Sequence, residues 1–282
     1  MINDKGDDSL RCMEIWGGNQ AFDNAVSVHG IDAWVYSRPY RGDRAGGDIH
    51  YVSTCGHGHI ARFSVADVSG HGASVGEVSG QLRGLMRKYI NMLDQSRFAR
   101  ALNKKFKALA DAGCFATALL TSYYAPTDEL FVCNAGHPPP LWYRAEIDTW
   151  QYLTFDCRSD GSLVTNLPLG VIEPTQYQQF GVRLGRHDLV LIYTDALIEA
   201  ADPDGNLLGA EGLLSLAGKI KASAPEEVSA GLLTLLDTYS GGAEPDDDVT
   251  LIVLHHNAAD PPRLGVGEYL TVLGKVFGLV RV

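Results

Sequence analysis

Val65-Ala66-Asp67-Val68-Ser69-Gly70-His71-Gly72 joins the end of an apolar run to a glycine-rich turn. An apolar run over 60–66 climbs into Asp67 and stops, and two glycines and a histidine then turn the chain toward a long amphipathic segment. A carboxylate at a strand end, followed by glycines, can reach an ion or a phosphate with no bulky neighbour in the way. Taken alone, an aspartate in a glycine-rich turn is ordinary turn chemistry. What else arrives at the same place decides between the two.

Upstream, 49–54 reads as a strand, Cys55-Gly56-His57-Gly58 as a turn and 59–66 as the returning strand. In a hairpin, the residue before the first strand and the residue after the second lie at one end, so Asp48 and Asp67 are neighbours by construction. Residues 31–37 alternate as a further strand, closed by Pro39. Arg38, Arg41 and Arg44 precede Gly46-Gly47-Asp48, and Arg44 is either a phosphate clamp or a surface arginine. Residues 1–30 read as a polar lead-in, with Trp16 strapping it to the domain. Downstream, Val75, Val78, Leu82, Leu85, Met86, Tyr89 and Leu93 step by three and four, which predicts a helix over 73–93. Phe98, Leu102, Phe106 and Leu109 predict a second over 95–111, with Lys104, Lys105 and Lys107 mostly on its wet side. Both stripes read as core.

Residues 115–125 and 129–134 read as paired strands, ending in Asn134-Ala135-Gly136-His137-Pro138, where His137 is expected to shape the loop by hydrogen bonding. Short strands follow over 141–143 and 150–155. Residues 176–184 and 188–194 read as another strand pair around Gly185-Arg186-His187, the second strand ending in Asp195. Helices over 207–220 and 225–239 lead to Asp246-Asp247-Asp248, which opens a last apolar strand over 249–254. If the strand ending at Asp195 pairs antiparallel with the one after Asp247-Asp248, those carboxylates share an edge as Asp48 and Asp67 do. Four carboxylates in one cleft repel each other unless cations sit among them. All-oxygen ligands suit Mg²⁺ or Mn²⁺ rather than zinc. Two such ions bridged by a water would supply a hydroxide and polarise a phosphoryl oxygen, with no protein nucleophile required.

The 282 residues are 45% hydrophobic and 20% charged, a globular composition with length enough for a sizeable core. A net charge of −11, with no basic block, argues against nucleic acid as a partner. Cys12, Cys55, Cys114, Cys133 and Cys157 are odd in number and form no Cys-x-x-Cys pair, which suits a reducing, cytoplasmic setting. No secretory signal and no apolar run long enough to span a membrane is visible. Strands, two helices, many strands, two helices and a strand predict α+β with antiparallel sheets. Residues 258–282 read as an amphipathic docking tail carrying Val266, Tyr269, Leu270, Leu273, Phe277 and Val280 on one face.

The ordered motifs Gly46-Gly47-Asp48, Ala66-Asp67-Val68-Ser69-Gly70-His71-Gly72, Asn134-Ala135-Gly136-His137-Pro138, Leu167-Pro168-Leu169-Gly170, Tyr193-Thr194-Asp195 and Asp247-Asp248-Val249-Thr250 resemble those of the metal-dependent (PPM, type 2C) protein serine/threonine phosphatases, in their bacterial SpoIIE-like branch. The resemblance covers nearly the whole chain. It implies a four-layer α-β-β-α sandwich, two antiparallel sheets flanked by helices, over a phosphatase domain at 31–257. It further implies two Mn²⁺ or Mg²⁺ ions. Asp67 would bridge them with help from the Val68 carbonyl, Asp48 would complete one shell, and Asp195 and Asp247 would hold the other ion. Asp248 is a candidate to support these ligands or to hold a third ion. The implied reaction is attack of a hydroxide bridging the ions on phosphoserine or phosphothreonine of a signalling partner, such as an anti-anti-sigma (STAS-type) protein. His71, Arg44 and Asp248 are candidate substrate contacts, His71 alternatively having a structural or electrostatic role. Ala196 stands where relatives have Gly and removes no ligand. No sensor domain is expected ahead of the catalytic region, so control is expected from a separate regulator, the N-terminus or the tail, with the helices over 73–93 and 95–111 as a candidate switch. A catalytically quiet partner-binding regulator of this fold and a phosphoesterase acting on a small molecule are the rival readings.

Overall fold

The computed structural model describes residues 13–55, 58–70, 73–109, 113–154, 165–221, 224–260 and Gly267. Twelve strands form two six-stranded antiparallel sheets among the described residues. The first runs, in spatial order, β1 (Met13–Gly18), β4 (Asp48–Cys55), β5 (Ile60–Val68), β6 (Ala116–Tyr124), β7 (Glu129–Ala135) and β10 (Gln179–Arg183). The second runs β2 (Phe22–Val28), β3 (Ile31–Arg38), β12 (Val249–His256), β11 (Leu189–Tyr193), β8 (Leu141–Arg144) and β9 (Thr149–Tyr152). Helices α1 (Ala73–Lys88) and α2 (Gln95–Leu109) pack on the first sheet, and α3 (Gly209–Ala217) and α4 (Pro225–Tyr239) on the second. This is the expected α-β-β-α sandwich.

The central strands are covered on both faces, which is why apolar residues occur on both of their sides. Along β5, Phe63 and Val65 enter the seam between the sheets with Val52, Leu119, Val190, Ile192, Ile252 and Leu254. Ala66 and Val68 point the other way, toward Leu82, Met86, Phe98, Leu102 and Phe106 of the helices. Side chains alternate along a strand, so Asp67 shares the face of Phe63 and Val65, and Asp48 that of Val52. Both aspartates therefore stand on the side facing the second sheet. On that sheet's outer face, Leu191, Leu251 and Val253 pack with Leu213, Val228 and Leu232. Each fully buried side chain of this kind stabilises the fold by about 2 kcal/mol. Arg62, 1% exposed on β5, donates to the Met92 carbonyl and lies over the Phe98 ring at 5.6 Å, tying the α1–α2 connection to the sheet.

Three expectations change. The strands around Gly185-Arg186-His187 do not pair with each other: β10 pairs with β7 and β11 with β12 and β8, so the turn crosses from one sheet to the other. Both strands contribute to the seam, Phe180 and Val182 from one side and Val190 and Ile192 from the other, so closing the sandwich outweighs local pairing. The stretch read as a strap is also more than that. Its residues 13–18 and 22–28 are β1 and β2, pairing with β4 and β3 and extending both sheets. The helix expected over 73–93 stops at Lys88. Among the described residues, no helix is long and apolar enough to cross a membrane. Of the tail expected over 258–282, residues 261–282 lie outside the described residues, apart from Gly267.

Candidate metal centre

The β4–β5 hairpin sets Asp48 directly opposite Asp67. The second sheet supplies the other carboxylates. β11 and β12 pair with Tyr193 opposite Leu251, and the pairing continues through Thr194, whose N–H donates to the Thr250 carbonyl at 3.0 Å. Asp195 follows in a turn of 3₁₀ helix, while Asp247 and Asp248 precede β12 on the same edge. Ala196 lies in that turn, outside the left-handed region, so Ala in place of Gly costs no backbone strain there.

Thr194 joins the two edges. Its hydroxyl donates to Asp48 Oδ2 at 2.9 Å and accepts from the Thr250 N–H at 3.0 Å. The Thr250 hydroxyl in turn bonds to Ser37 at 2.9 Å. The charges acting on Asp67 come from Asp195, Asp247, Asp248 and Glu199, all negative. Burial first, and these carboxylates second, push Asp67 up from 3.8 to about 7. Asp48 is raised well above the usual carboxylate range by burial, then by Asp67 and Asp248, against hydrogen bonds from Thr250 and Thr194. Asp195 is raised by burial and by Glu199. Among the described residues, no three His, Cys, Asp or Glu side chains are gathered closely enough to hold a metal ion. The carboxylates thus face one another at electrostatic rather than coordinating range. The donor set still fits a hard divalent cation: every donor is oxygen, and the charge felt by Asp67 calls for a positive partner.

Asp248 adds its charge to this cluster while its carboxylate oxygens hold the loop before Asp48. Its carboxylate accepts the N–H of Tyr40 at 2.6 Å, of Gly47 at 2.5 Å and of Asp48 at 3.4 Å. That explains the paired glycines. A Cβ on Gly46 would stand 2.3 Å from the Asp248 carboxylate, and one on Gly47 2.8 Å from the Val68 carbonyl. Asn19 completes the cradle, donating to the Gly46 and Gly76 carbonyls at 3.1 and 3.0 Å. His137 does shape its loop: Nε2 donates to the Tyr193 carbonyl at 2.9 Å and Nδ1 accepts from Thr117 at 2.8 Å. Burial holds its imidazole down to about 4, so it is neutral and steadies the strand that delivers Thr194 and Asp195.

Of the expected site residues, the structure brings Asp48, Asp67, Asp195 and Asp247 to one end of the sandwich, with the Val68 carbonyl beside Gly47. Arg44 is exposed on the loop before Asp48 and makes no hydrogen bond or ion pair among the described residues. His71 lies outside them. His59 stacks on His29 at 5.6 Å, at the opposite end of the hairpin. Thr194 and Glu199 had no assigned role in the sequence. Thr194 stood inside a quoted motif, whereas Glu199 carried no signal beyond its spacing of four from Asp195.

A family model described as stage II sporulation protein E (SpoIIE) matches residues 57–257. The phosphoserine phosphatase RsbU of Bacillus subtilis (strain 168) is 25% identical over 196 residues, covering 68% of this chain and 54% of RsbU. The chain therefore spans about half the length of that relative. The structure of the RsbU and RsbW domains of Rv1364c from Mycobacterium tuberculosis superposes with a TM-score of 0.71 at 26% identity, covering 92% of this chain and 70% of that one. The catalytic domain of the serine/threonine phosphatase PstP, in complex with 2 manganese ions, gives a TM-score of 0.56 at 15% identity over 80% of this chain and 97% of its own, a likeness of fold.

Proposed function

Because the chain belongs to the stage II sporulation protein E (SpoIIE) family, we propose that it is a metal-dependent phosphoprotein phosphatase acting on phosphoserine or phosphothreonine of a signalling partner. A STAS-type anti-anti-sigma protein is the partner class that the resemblance suggests. The observation that carries the proposal is the meeting of two carboxylate edges: Asp48 stands opposite Asp67 on the first sheet, and like charge converges on Asp67 from four carboxylates at the edge of the second, all more than a hundred residues away in sequence. Asp67, Asp48, Asp195 and Asp247 are the proposed ligands of two Mn²⁺ or Mg²⁺ ions, with the Val68 carbonyl assisting. Bound there, such ions supply Lewis-acid polarisation of a phosphoryl oxygen and an activated water.

The chain's own part is placement. Thr194 steadies the Asp48 carboxylate by donating to Oδ2. Asp248 and Asn19 hold the loop that carries Asp48, and the neutral His137 holds the Tyr193 carbonyl. Arg44, exposed and unpaired among the described residues, is available to a phosphate entering from solvent. The test is release of p-nitrophenol from p-nitrophenyl phosphate. Turnover that requires Mn²⁺ and is lost in Asp67→Asn and in Asp195→Asn supports the proposal. Turnover that persists in chelator, or in both variants, refutes it.

A further inference from the structure

Beside the carboxylate edge, the protein exposes apolar side chains that its core does not take up. Phe115, Val171 and Ile172 are 39%, 41% and 51% exposed. Backbone bonding places them together. Ala116 and Leu169 exchange hydrogen bonds of 2.9 and 2.7 Å, so Phe115 lies across from Gly170, and Val171 and Ile172 follow directly. The same segment is tied to the loop after Asp67: the Ser69 N–H donates to the Phe115 carbonyl at 2.9 Å, and the Phe115 N–H donates to Ser69 Oγ at 3.1 Å. Asp67 itself sits opposite Thr117 on β6. With neighbouring strands about 4.8 Å apart, the patch begins about 10 Å from Asp67.

These side chains are held outward. Asn103, fully buried on α2, accepts from the Gly170 N–H at 2.8 Å and donates to the Ile172 carbonyl at 2.8 Å and to Glu173 at 2.9 Å. Lys107 donates to the Val171 carbonyl at 2.9 Å. With its backbone groups satisfied in this way, the loop presents Val171 and Ile172 on a fixed support. Arg100, Lys104 and Lys107 follow at helical spacing on the face of α2 that carries Asn103. None of the three is ion-paired with a carboxylate among the described residues, and Lys104 and Lys107 are exposed. In a chain of net charge −11, this is a local basic margin next to an apolar patch.

We infer that Phe115, Val171 and Ile172, bordered by Lys104 and Lys107, form the docking surface for the phosphoprotein substrate. The recognised face of that substrate carries apolar side chains flanked by carboxylates, about 10–15 Å from the phosphorylated residue. The inference rests on the phosphatase reading and names its substrate's chemistry. In an extended peptide, that distance is three to five residues.

The probes are two fluorescent phosphoserine peptides. One carries Leu-Phe-Asp-Glu beginning three residues from the phosphoserine, on either side; the other carries Ser-Ser-Lys-Lys there. Binding is measured by anisotropy on the 282-residue chain in an Asp67→Asn background, so that the peptide is not consumed. The expected result is at least tenfold tighter binding of the apolar, acidic peptide, falling to within about twofold in Val171→Ser/Ile172→Ser and in Lys104→Glu. The same surface variants, placed in the otherwise unaltered chain, should leave p-nitrophenyl phosphate turnover unchanged. Equal binding of the two peptides, or a preference that survives both sets of substitutions, overturns the docking surface. Absence of aryl phosphate turnover strikes the phosphatase reading alone, because the binding measurement does not depend on it.

Discussion

Replacing Asp67 with Asn should stabilise the protein at pH 8 in chelator while abolishing its response to Mn²⁺. Asp67 titrates at about 7 in the folded chain against an ordinary 3.8, raised by burial and by Asp195, Asp247, Asp248 and Glu199. The folded state therefore binds the proton more tightly than the unfolded state does. Stability contributed by this group is fully present below about pH 4 and is lost as the pH rises through about 7. At about 1.4 kcal/mol for each tenfold change in proton affinity, complete ionisation costs about 4 kcal/mol. Solvent at the open side of the cleft relieves part of this, leaving about 1–3 kcal/mol. A chain of this size gains about 2 °C of melting temperature per kcal/mol, so the variant should melt about 2–6 °C higher at pH 8 in EDTA. At pH 4 the two proteins should melt together. Saturating Mn²⁺ should raise the wild type and leave Asp67→Asn nearly unmoved, since a ligand stabilises only the state that binds it. Scanning fluorimetry across pH, with and without the metal, reads all of these. If Asp67→Asn melts below wild type at pH 8 in EDTA, or gains as much from Mn²⁺, the reasoning is wrong.

Two further substitutions probe the scaffold. Thr194→Val removes the hydroxyl between Asp48 and Thr250, leaving a buried carboxylate without that donor. It should cost about 1–3 kcal/mol in urea unfolding and weaken Mn²⁺ binding measured by calorimetry, whereas an unchanged titration would show that Thr194 does not orient Asp48. Gly46→Ala places a methyl 2.3 Å from the Asp248 carboxylate. It should displace the loop before Asp48 and lower the urea midpoint, and a variant as stable as wild type would contradict the cradle described here.

Local patterns made much of this architecture readable. The β4–β5 hairpin and the stripes of α1 and α2 follow from periodicities of two and about 3.6, and the hairpin alone brought Asp48 and Asp67 together. Long-range pairings were less accessible. β1 and β2 are edge strands; β2 carries outward polar residues such as Asp23, Asn24 and Ser27, and β1 turns Glu14 to Arg83 of α1 and is broken by a register shift between Glu14 and Trp16, so neither shows clean alternation. β10 and β11 are close in sequence and look like a hairpin, yet each turns its apolar residues, Phe180 and Val182 or Val190 and Ile192, into the seam from its own sheet. At the site, the aspartates were legible as strand-end carboxylates. The hydroxyl of Thr194 that connects the two edges was not, because no pattern within a strand reports which side chain will meet the opposite sheet. The loop-holding role of Asp248 follows from the space left by Gly46 and Gly47, which a sequence shows only as two glycines.

The central claim is that carboxylates from both sheets share divalent cations. Diffraction from crystals grown with MnCl₂, measured on both sides of the manganese absorption edge, tests it most directly. The account predicts anomalous peaks between the two edges, with Asp48, Asp67, Asp195 and Asp247 oxygens within about 2.0–2.4 Å of them. A map with no peak there, and the four side chains still out of coordinating reach, would contradict it.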